Sequence, residues 1–341
     1  MVICGCLWVP FRQQSTKRKV ETNAGIDKAV VFLNERGLKM NMYDNHATKR
    51  PLLSVVIASY NMNRELPRTL FTMRERYQRG IEDWQLEIIV VDNGSDKLCD
   101  IPLEYSNVKH IKIENPSKSP AQALNLGIKE SNSDFICAMI DGARMVSPGM
   151  FYYALKAREL NPRVVVSTLG FHLGTEVQMK SVLKGYTAQQ EDLLLEKVNW
   201  KEDGYQLFRI STFAGSSATG WFLPIAESNA LFMPRELWKE LEGFDERFIT
   251  PGGGLVNLDL YKRACELPNI DLITLFGEGT FHQFHGGIAT NQPVDNWRLF
   301  HDEYVRIRGK QFTTPQKRPI LFGGINHDHK HSVLSSLKHY G

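Results

Sequence analysis

Three short, mainly apolar runs rich in β-branched residues, at 53–57, 86–91 and 135–140, alternate along the chain with segments of helical periodicity. Runs of this length are typical of strands buried on both faces, as in a parallel sheet. The Ser-Pro pairs at 119–120 and 147–148 predict helix starts, since a capping residue followed by proline suits the first turn. The alternation favours an α/β fold, with a mostly parallel central sheet and helices on both faces.

A polar segment follows each of these runs, at the point where the strand is expected to end. The first run leads into Ala58, Ser59 and Tyr60, the second into Asp92, and the third into Asp141. Ligands of parallel α/β sheets bind beyond the carboxyl ends of the strands. The sequence therefore predicts a nucleotide site at this edge, with polar and acidic groups for a base, a ribose and a metal ion.

The later part of the chain is less regular. Strands are expected at 164–169, 230–233 and 270–276, and a helix is expected near 295–308. The polar end of the chain contains three histidines at 327–331. We interpret this last cluster as solvated surface.

Composition narrows the class of protein. The 341 residues are 42% hydrophobic and 23% charged, as in a globular protein with a sizeable core, and the net charge of +3 does not indicate a nucleic-acid partner. No apolar stretch reaches the roughly 18 residues of a membrane span, so membrane contact is expected to be peripheral at most. The five cysteines form no zinc-like or disulfide-like pattern, and the first residues lack the basic region of a signal peptide, so a cytoplasmic protein is expected.

Four segments, together with Asp141, carry a family resemblance: VVIASYN at 55–61, VVDNGSD at 90–96, ALNLGI at 123–128, and the segment 229–248, with NALFM and LEGFDERF. They resemble the nucleotide-sugar-dependent glycosyltransferases of family 2. That family has the GT-A fold, in which a Rossmann-like nucleotide-binding half is joined to an acceptor-binding half. The resemblance implies transfer of a hexose-type sugar from a nucleotide diphosphate sugar to a hydroxyl acceptor, with an inverting outcome.

The resemblance also divides the chain. It implies an N-terminal arm at 1–50, a GT-A domain at 51–290, and a C-terminal helix and polar tail at 291–341. Within the domain, residues 51–145 would bind the donor nucleotide and residues 146–290 the acceptor. A glycan, glycolipid, glycoprotein or small molecule with a free hydroxyl is the expected acceptor.

In this family, the loop after the first strand and the aspartate after the second hold the nucleoside. The resemblance assigns these roles to Ala58, Ser59, Tyr60 and Asp92. A carboxylate accepts hydrogen bonds from a base N–H or a ribose hydroxyl. The alternative is that Asp92 only begins a turn, since the Asp-Asn-Gly-Ser sequence strongly favours turns.

The family commonly holds Mg²⁺ or Mn²⁺ against the donor diphosphate with an Asp-x-Asp turn, because a divalent cation neutralises charge on the leaving group. Here the turn reads Asp141-Gly142-Ala143, so the second carboxylate is missing. The guanidinium of Arg144 suits phosphate oxygens and is a candidate diphosphate contact. The alternative for Arg144 is a surface residue at a helix start.

Two histidines follow the last predicted strand of the domain. Several GT-A enzymes complete the metal shell with a histidine at this place, which implies His282 or His285 as a ligand beside Asp141. Imidazole suits Mn²⁺ better than Mg²⁺, which prefers oxygen ligands. The expected cofactor is therefore a divalent metal, Mn²⁺ or Mg²⁺.

The catalytic base is harder to assign. Family members typically keep an acidic pair where this chain has Val256-Asn257, and an amide cannot act as a general base. Asp259 and Glu227 are the candidate substitutes. The alternative for Asp259 is a carboxylate placed near a helix N-terminus for its favourable interaction with the helix dipole.

Two other functions stay open. A sugar-phosphate nucleotidyltransferase shares a similar core, but it usually has a glycine-rich basic loop after the first strand, which Ser59–Asn63 does not resemble. A non-catalytic sugar-nucleotide-binding protein is the other alternative. It is favoured by the missing second acid after Asp141 and by Asn257.

Overall fold

The computed structural model describes residues 50–102, 105–287, 291, 296–325 and 327–338. The N-terminal arm predicted from the sequence lies outside these residues, except for its last position. Its boundaries stay a prediction.

A ten-stranded sheet runs through the described residues. The strands are β1 (Leu53–Ser59), β2 (Leu86–Asp92), β3 (Val108–Lys112), β4 (Phe135–Met139), β5 (Arg144–Val146), β6 (Val164–Leu173), β7 (Ser211–Phe213), β8 (Ala230–Pro234), β9 (Asp271–His282) and β10 (Ile320–Gly323). The main path is β10-β9-β6-β8-β4-β1-β2-β3, with β5 paired to β9 and β7 to β6. The β3-β2-β1-β4 and β6-β9-β10 pairs are parallel, whereas β8 runs antiparallel to both β4 and β6. The predicted mostly parallel sheet is confirmed.

Helices cover both faces of this sheet. They are α1 (Leu66–Phe71), α2 (Ala121–Glu130), α3 (Met150–Arg158), α4 (Gln178–Ser181), α5 (Ala188–Glu196), α6 (Arg235–Glu240), α7 (Val256–Cys265), α8 (Trp297–Arg308) and α9 (Lys330–Leu337). Alternate residues of β1 point to opposite faces: Val55 joins a core with Leu66 of α1 and Phe151 of α3, and Val56 joins a core with Leu124 of α2. No helix within the described segments is both long enough and apolar enough to cross a bilayer.

The carboxyl ends of the central strands meet at one edge. Ser59 at the end of β1 is the register partner of Asp92 at the end of β2, and Ile57 of β1 is the partner of Met139 at the end of β4. Asp141 therefore follows β4 directly at this edge. The predicted convergence of the three polar segments is confirmed, and it places the site.

Two strands are longer than predicted. β6 continues to Leu173 and β9 to His282, beyond the predicted ends at 169 and 276. Glycines interrupt the apolar pattern of both strands, which is why the pattern suggests an early end. A register shift between Ser167 and Leu169 accommodates the irregularity, and the two strands stay paired to their ends.

The interpretation of residues 327–331 as solvated surface is wrong for their central histidine. β10 pairs with β9, and His329 is fully buried with its ring 5.2 Å from that of Phe208 and 6.2 Å from that of Trp221, between centroids. These partners lie far away in the sequence, so no local pattern reveals the burial.

Candidate active site

A cavity of about 1210 Å³ opens at the edge where the central strands end. Most of the predicted site residues line it: Ala58, Ser59, Tyr60, Asp141, Arg144, Glu227, His282 and His285. Asp92 and Asp259 are not among its lining residues. The structure thus brings together residues from both halves of the predicted domain.

The loops after β1 and β2 form part of the cavity wall. Asn93 and Gly94 line the wall here, and Asp92 lies behind them, almost completely buried. Oδ1 of Asp92 accepts hydrogen bonds from the backbone N–H groups of Gly94 (3.1 Å) and Ser95 (2.9 Å). The turn-forming role considered for Asp92 is therefore present, and contact with a nucleoside stays a prediction.

Asp141, His282 and His285 form a compact group of metal-ligating side chains. One ligand atom from each lies within 4.8 Å of those of the other two. The Nε2 atoms of the two histidines are 3.1 Å apart. Two nitrogens that bind one cation at about 2.1 Å, with a right angle between the two bonds, are about 3.0 Å apart. The spacing of the two Nε2 atoms therefore suits binding of the same cation. The carboxylate and imidazole donors fit a divalent ion such as Mn²⁺.

Two buried amide side chains hold the histidines in place. The side-chain oxygen of Gln178 lies 2.7 Å from His282 Nδ1 and accepts a hydrogen bond from Asn291 at 3.0 Å. Oδ1 of Asn291 accepts the backbone N–H groups of His285 and Gly286, each at 3.1 Å. Such bonds fix the orientation of imidazole ligands.

Both histidines of this group are held in the neutral form, which is the form that binds a metal. Burial lowers the pKa of His282 well below its ordinary value, and the positive charge of Arg144 adds to the effect. Burial also lowers the pKa of His285, although the nearby carboxylate of Asp141 acts against this shift. Neutral imidazole offers a lone pair to a cation without having to lose a proton.

Arg144 is a buried residue of β5 and not a surface residue at a helix start. Its Nε donates to the carboxylate of Asp141 at 3.0 Å, and Oδ1 of Asp141 also accepts the N–H of Ala143 at 3.0 Å. Nη1 of Arg144 is buried and has no hydrogen-bond partner among the described residues. A buried, unpaired N–H donor beside a cavity is suited to an anionic oxygen.

The two candidate bases have different surroundings. Glu227 lines the cavity, and its carboxylate accepts a hydrogen bond of 2.7 Å from the amide of Asn257. Asp259 is buried in the first turn of α7, where Arg263 (2.8 Å) and Arg308 (2.6 Å) pair with it. The structure does not bring Asp259 to the cavity, and the hydrogen bonds from the two guanidinium groups engage both oxygens of its carboxylate.

Three further features of the site were not predicted from the sequence. His172, at the end of β6, lines the cavity, as do Trp297, Phe300 and Phe312 near its outer side. Gln178 forms hydrogen bonds with His172 and His282. His172 is missed because β6 is expected to end at residue 169. A strand that continues to residue 173 has His172 as the polar residue near its carboxyl end.

Part of the chain is similar in sequence to known glycosyltransferases. Residues 54–215 match the protein family described as Glycosyl transferase family 2. The chain is 40% identical over 94 residues to the probable glycosyltransferase YdaM of Bacillus subtilis (strain 168), covering 26% of this chain and 22% of that protein. It is 25% identical over 235 residues to validoxylamine A glucosyltransferase of Streptomyces hygroscopicus subsp. jinggangensis (strain 5008), covering 64% and 53%.

The chain therefore spans from about a fifth to about half the length of these curated relatives. Among solved structures, that of S. aureus TarS 1-349 in complex with UDP-GlcNAc aligns with a TM-score of 0.47 at 14% sequence identity. The alignment covers 74% of this chain and 66% of that chain.

Proposed function

We propose, since residues 54–215 form a glycosyl transferase family 2 domain, that this protein transfers a hexose-type sugar from a nucleotide diphosphate sugar to a hydroxyl acceptor. The observation that carries the proposal is the group formed by Asp141, His282 and His285 in the cavity at the carboxyl edge of the parallel strands. A divalent cation held there would meet a diphosphate bound at the same edge.

The donor nucleoside would lie against Ala58, Ser59 and Tyr60, beside the loop that contains Asn93. Its diphosphate would then extend toward Asp141 and the unpaired Nη1 of Arg144. In this arrangement backbone and side-chain polar groups of the loops bind the base and ribose, and the charged groups bind the phosphates.

The metal site would take Mn²⁺ in preference to Mg²⁺, because two of its three protein ligands are imidazoles. A bound divalent ion would neutralise the charge that develops on the leaving nucleoside diphosphate. Arg144 has two roles in this site. It pairs with Asp141, and its unpaired nitrogen is available to a phosphate oxygen.

Glu227 would act as the general base on the acceptor hydroxyl. It is the candidate carboxylate that lines the cavity, and Asn257 orients it with a 2.7 Å hydrogen bond. An in-line attack assisted by this base would invert the anomeric centre. Trp297, Phe300 and Phe312 also line the cavity and would receive a carbohydrate acceptor, whose apolar C–H faces and polar edges match such a mixed lining.

The first test is a thermal-shift panel with UDP, GDP, dTDP and CMP, each with and without Mn²⁺. We expect one nucleotide to raise the melting temperature, and Mn²⁺ to increase that shift, because a ligand that binds only the folded state stabilises it. A protein that is stabilised by none of them would contradict the proposal. If UDP, GDP or dTDP gives the shift, incubation with the corresponding nucleotide diphosphate sugar and Mn²⁺ should then release that nucleoside diphosphate by slow hydrolysis.

A second candidate function is sugar-nucleotide binding without catalysis. Ala143 in place of the second acidic residue and Asn257 in place of an acid both favour it. The same hydrolysis measurement separates the two functions. Nucleotide-dependent stabilisation with no release of nucleoside diphosphate, with a panel of simple sugars present as acceptors, would favour the binding protein.

A further inference from the structure

Arg144, His282 and His172 lie side by side on three neighbouring strands. His282 of β9 is the register partner of Arg144 in β5 on one side and of His172 in β6 on the other. Directly paired residues of adjacent strands project from the same face, with their Cβ atoms about 4.5–5.5 Å apart. All three residues line the cavity. His282, a candidate metal ligand, therefore lies between Arg144 and the buried His172.

The proton of His172 is located by a backbone group. The N–H of Gln178 donates to His172 Nδ1 at 2.8 Å. A backbone amide can only donate, so Nδ1 must carry the lone pair and Nε2 must carry the proton in the neutral ring. Among the described residues, no hydrogen-bond partner of Nε2 is found. His172 thus presents an N–H group and not a metal-binding lone pair.

His282 has the opposite tautomer, and the same residue sets it. Its Nδ1 lies 2.7 Å from the side-chain oxygen of Gln178, which can only accept, so Nδ1 carries the proton. Nε2 of His282 is left with the lone pair, directed toward His285 at 3.1 Å. The backbone N–H of Gln178 leaves His172 with an N–H group at Nε2, and its side-chain oxygen leaves His282 with a lone pair that can bind a metal ion.

We propose that His172 donates a hydrogen bond from Nε2 to the diphosphate of the donor nucleotide, and that Gln178 is the positioning residue that sets it apart from His282. The proposal rests on the function proposed above. The unpaired Nη1 of Arg144, on the other side of His282, is a second buried donor in the same row. Phosphate oxygens only accept hydrogen bonds, so they match N–H groups on both sides of a metal ion.

The first experiment measures the tautomers directly, without any nucleotide. Long-range ¹H–¹⁵N correlation spectra of the full chain labelled with ¹⁵N-histidine report which ring nitrogen carries the proton, and His172→Gln and His282→Gln variants assign the two rings. We expect His172 to be protonated on Nε2 and His282 on Nδ1. A His172 ring protonated on Nδ1, or on both nitrogens, at neutral pH would overturn the proposal.

The second experiment compares His172→Ala with the matched variant His172→Gln, whose side-chain amide can place an N–H near the position of Nε2. Calorimetric titrations with Mn²⁺ present use the nucleoside diphosphate that stabilises the protein, the corresponding nucleoside, and inorganic pyrophosphate. Removing one hydrogen bond to a charged group should weaken nucleoside diphosphate and pyrophosphate binding roughly tenfold in the alanine variant. The nucleoside should bind as before, and the glutamine variant should recover most of the affinity.

The outcomes separate this proposal from the proposed function. If the wild type binds pyrophosphate but no nucleoside diphosphate, the proposed function is wrong. The role of His172 is then tested by the pyrophosphate affinity of the variants. The role of His172 is wrong if His172→Ala loses as much affinity for the nucleoside as for the nucleoside diphosphate, or if its affinities are unchanged. It is also wrong if the wild type binds neither the nucleoside diphosphate nor pyrophosphate.

A third variant tests the positioning residue. Gln178→Met removes the side-chain bond to His282 but keeps the backbone N–H that binds His172. Loss of such a second contact to a metal ligand typically weakens metal binding about 10–100-fold. We expect that loss of Mn²⁺ affinity, measured by electron paramagnetic resonance, with the His172 ring signals unchanged. Unchanged Mn²⁺ affinity, or a tautomer change at His172, would contradict the role of Gln178.

Discussion

The side-chain amide of Asn257 donates a hydrogen bond to the Glu227 carboxylate, with a nitrogen–oxygen distance of 2.7 Å. The same amide also donates to the backbone oxygen of Ser228 at 3.2 Å. Asn257 is the second residue of α7, at the place where the family resemblance predicts an acid, and Glu227 lies three residues before β8. Asn257, whose amide cannot act as a base, is therefore hydrogen-bonded to Glu227, the candidate base. This bond orients the Glu227 carboxylate, which lines the cavity.

The first prediction is that Glu227→Gln lowers turnover by about 10²–10⁴ and leaves donor affinity unchanged, because general-base assistance is worth about that factor. Transfer to the acceptor and calorimetric binding of the nucleoside diphosphate measure the two effects. The glutamine side chain keeps the size of the residue and an oxygen that Asn257 can reach.

Asp259→Asn is the matched control. It removes the charge that pairs with Arg263 and Arg308, so it should cost about 3–5 kcal/mol of unfolding free energy, while turnover of the protein that remains folded changes little. If Glu227→Gln does not slow transfer tenfold, the assignment of the base to Glu227 is wrong, and if Asp259→Asn does not slow it either, neither candidate acid is the base. A retaining route, in which the leaving diphosphate helps to deprotonate the acceptor, would then be the better account.

The second prediction concerns the metal ligands. Asp141→Asn and His282→Ala should each weaken Mn²⁺-dependent nucleotide binding by at least about the 10–100-fold that loss of a supporting contact typically costs. Titration with the nucleotide in Mn²⁺ and in EDTA separates the metal-dependent part of the affinity. His331→Ala, at an exposed histidine of α9 outside the cavity lining, is the control variant. Full activity of the wild type in EDTA would instead assign the diphosphate charge to Arg144 and other cationic groups.

The central strands can be predicted from the sequence because their signals are local. Each is a continuous apolar run, and a polar residue at or just after its end lines the cavity, as with Ser59 and Asp141. Ligands of open α/β sheets bind beyond the carboxyl ends of the strands, so the run and its terminus together predict where the site lies.

The rest of the site depends on which strands are neighbours, and no local pattern contains that information. His172 and His282 are 110 residues apart in sequence and face each other only because β6 pairs with β9. The burial of Asp259 likewise depends on Arg308 in α8. In both cases the residue types are visible in the sequence, whereas the pairing that decides their role belongs to the tertiary structure.

The third prediction tests the packing of α2 against the sheet. Gly127 lies in the middle of this helix, where an added methyl group would meet Val91 at 3.1 Å and Val56 at a still shorter distance. Gly127→Ala should therefore lower the unfolding free energy by about 1–3 kcal/mol, although alanine favours the helix by about 1 kcal/mol. Urea denaturation measures the change. Gly215→Ala, where an added Cβ meets nothing, is the control, and a stabilised Gly127→Ala variant would contradict the packing argument.

The last prediction concerns a buried acid, Glu278 of β9. Burial raises its pKa from 4.5 to about 7, although hydrogen bonds donated by Ser147, Tyr205 and the backbone of Gly149 act in the opposite direction. Between pH 4.5 and 7 the folded state therefore holds a proton that the unfolded chain has lost. Unfolding free energy should fall as the pH rises through this window, by about 3 kcal/mol from this group, and should not change further on its account above or below it.

Glu278→Gln copies the protonated acid, since its oxygen can accept from Ser147 and Gly149 and its amide can donate to the hydroxyl of Tyr205. The variant should match the wild type near pH 4.5 and be more stable than it at pH 8, by about the 3 kcal/mol that the shift represents. Urea denaturation at a series of pH values measures this difference, with Glu114→Gln, at an exposed site, as the control. A stability difference between variant and wild type that stays constant from pH 4.5 to 8 would show that Glu278 ionises in the folded protein as it does in the unfolded chain.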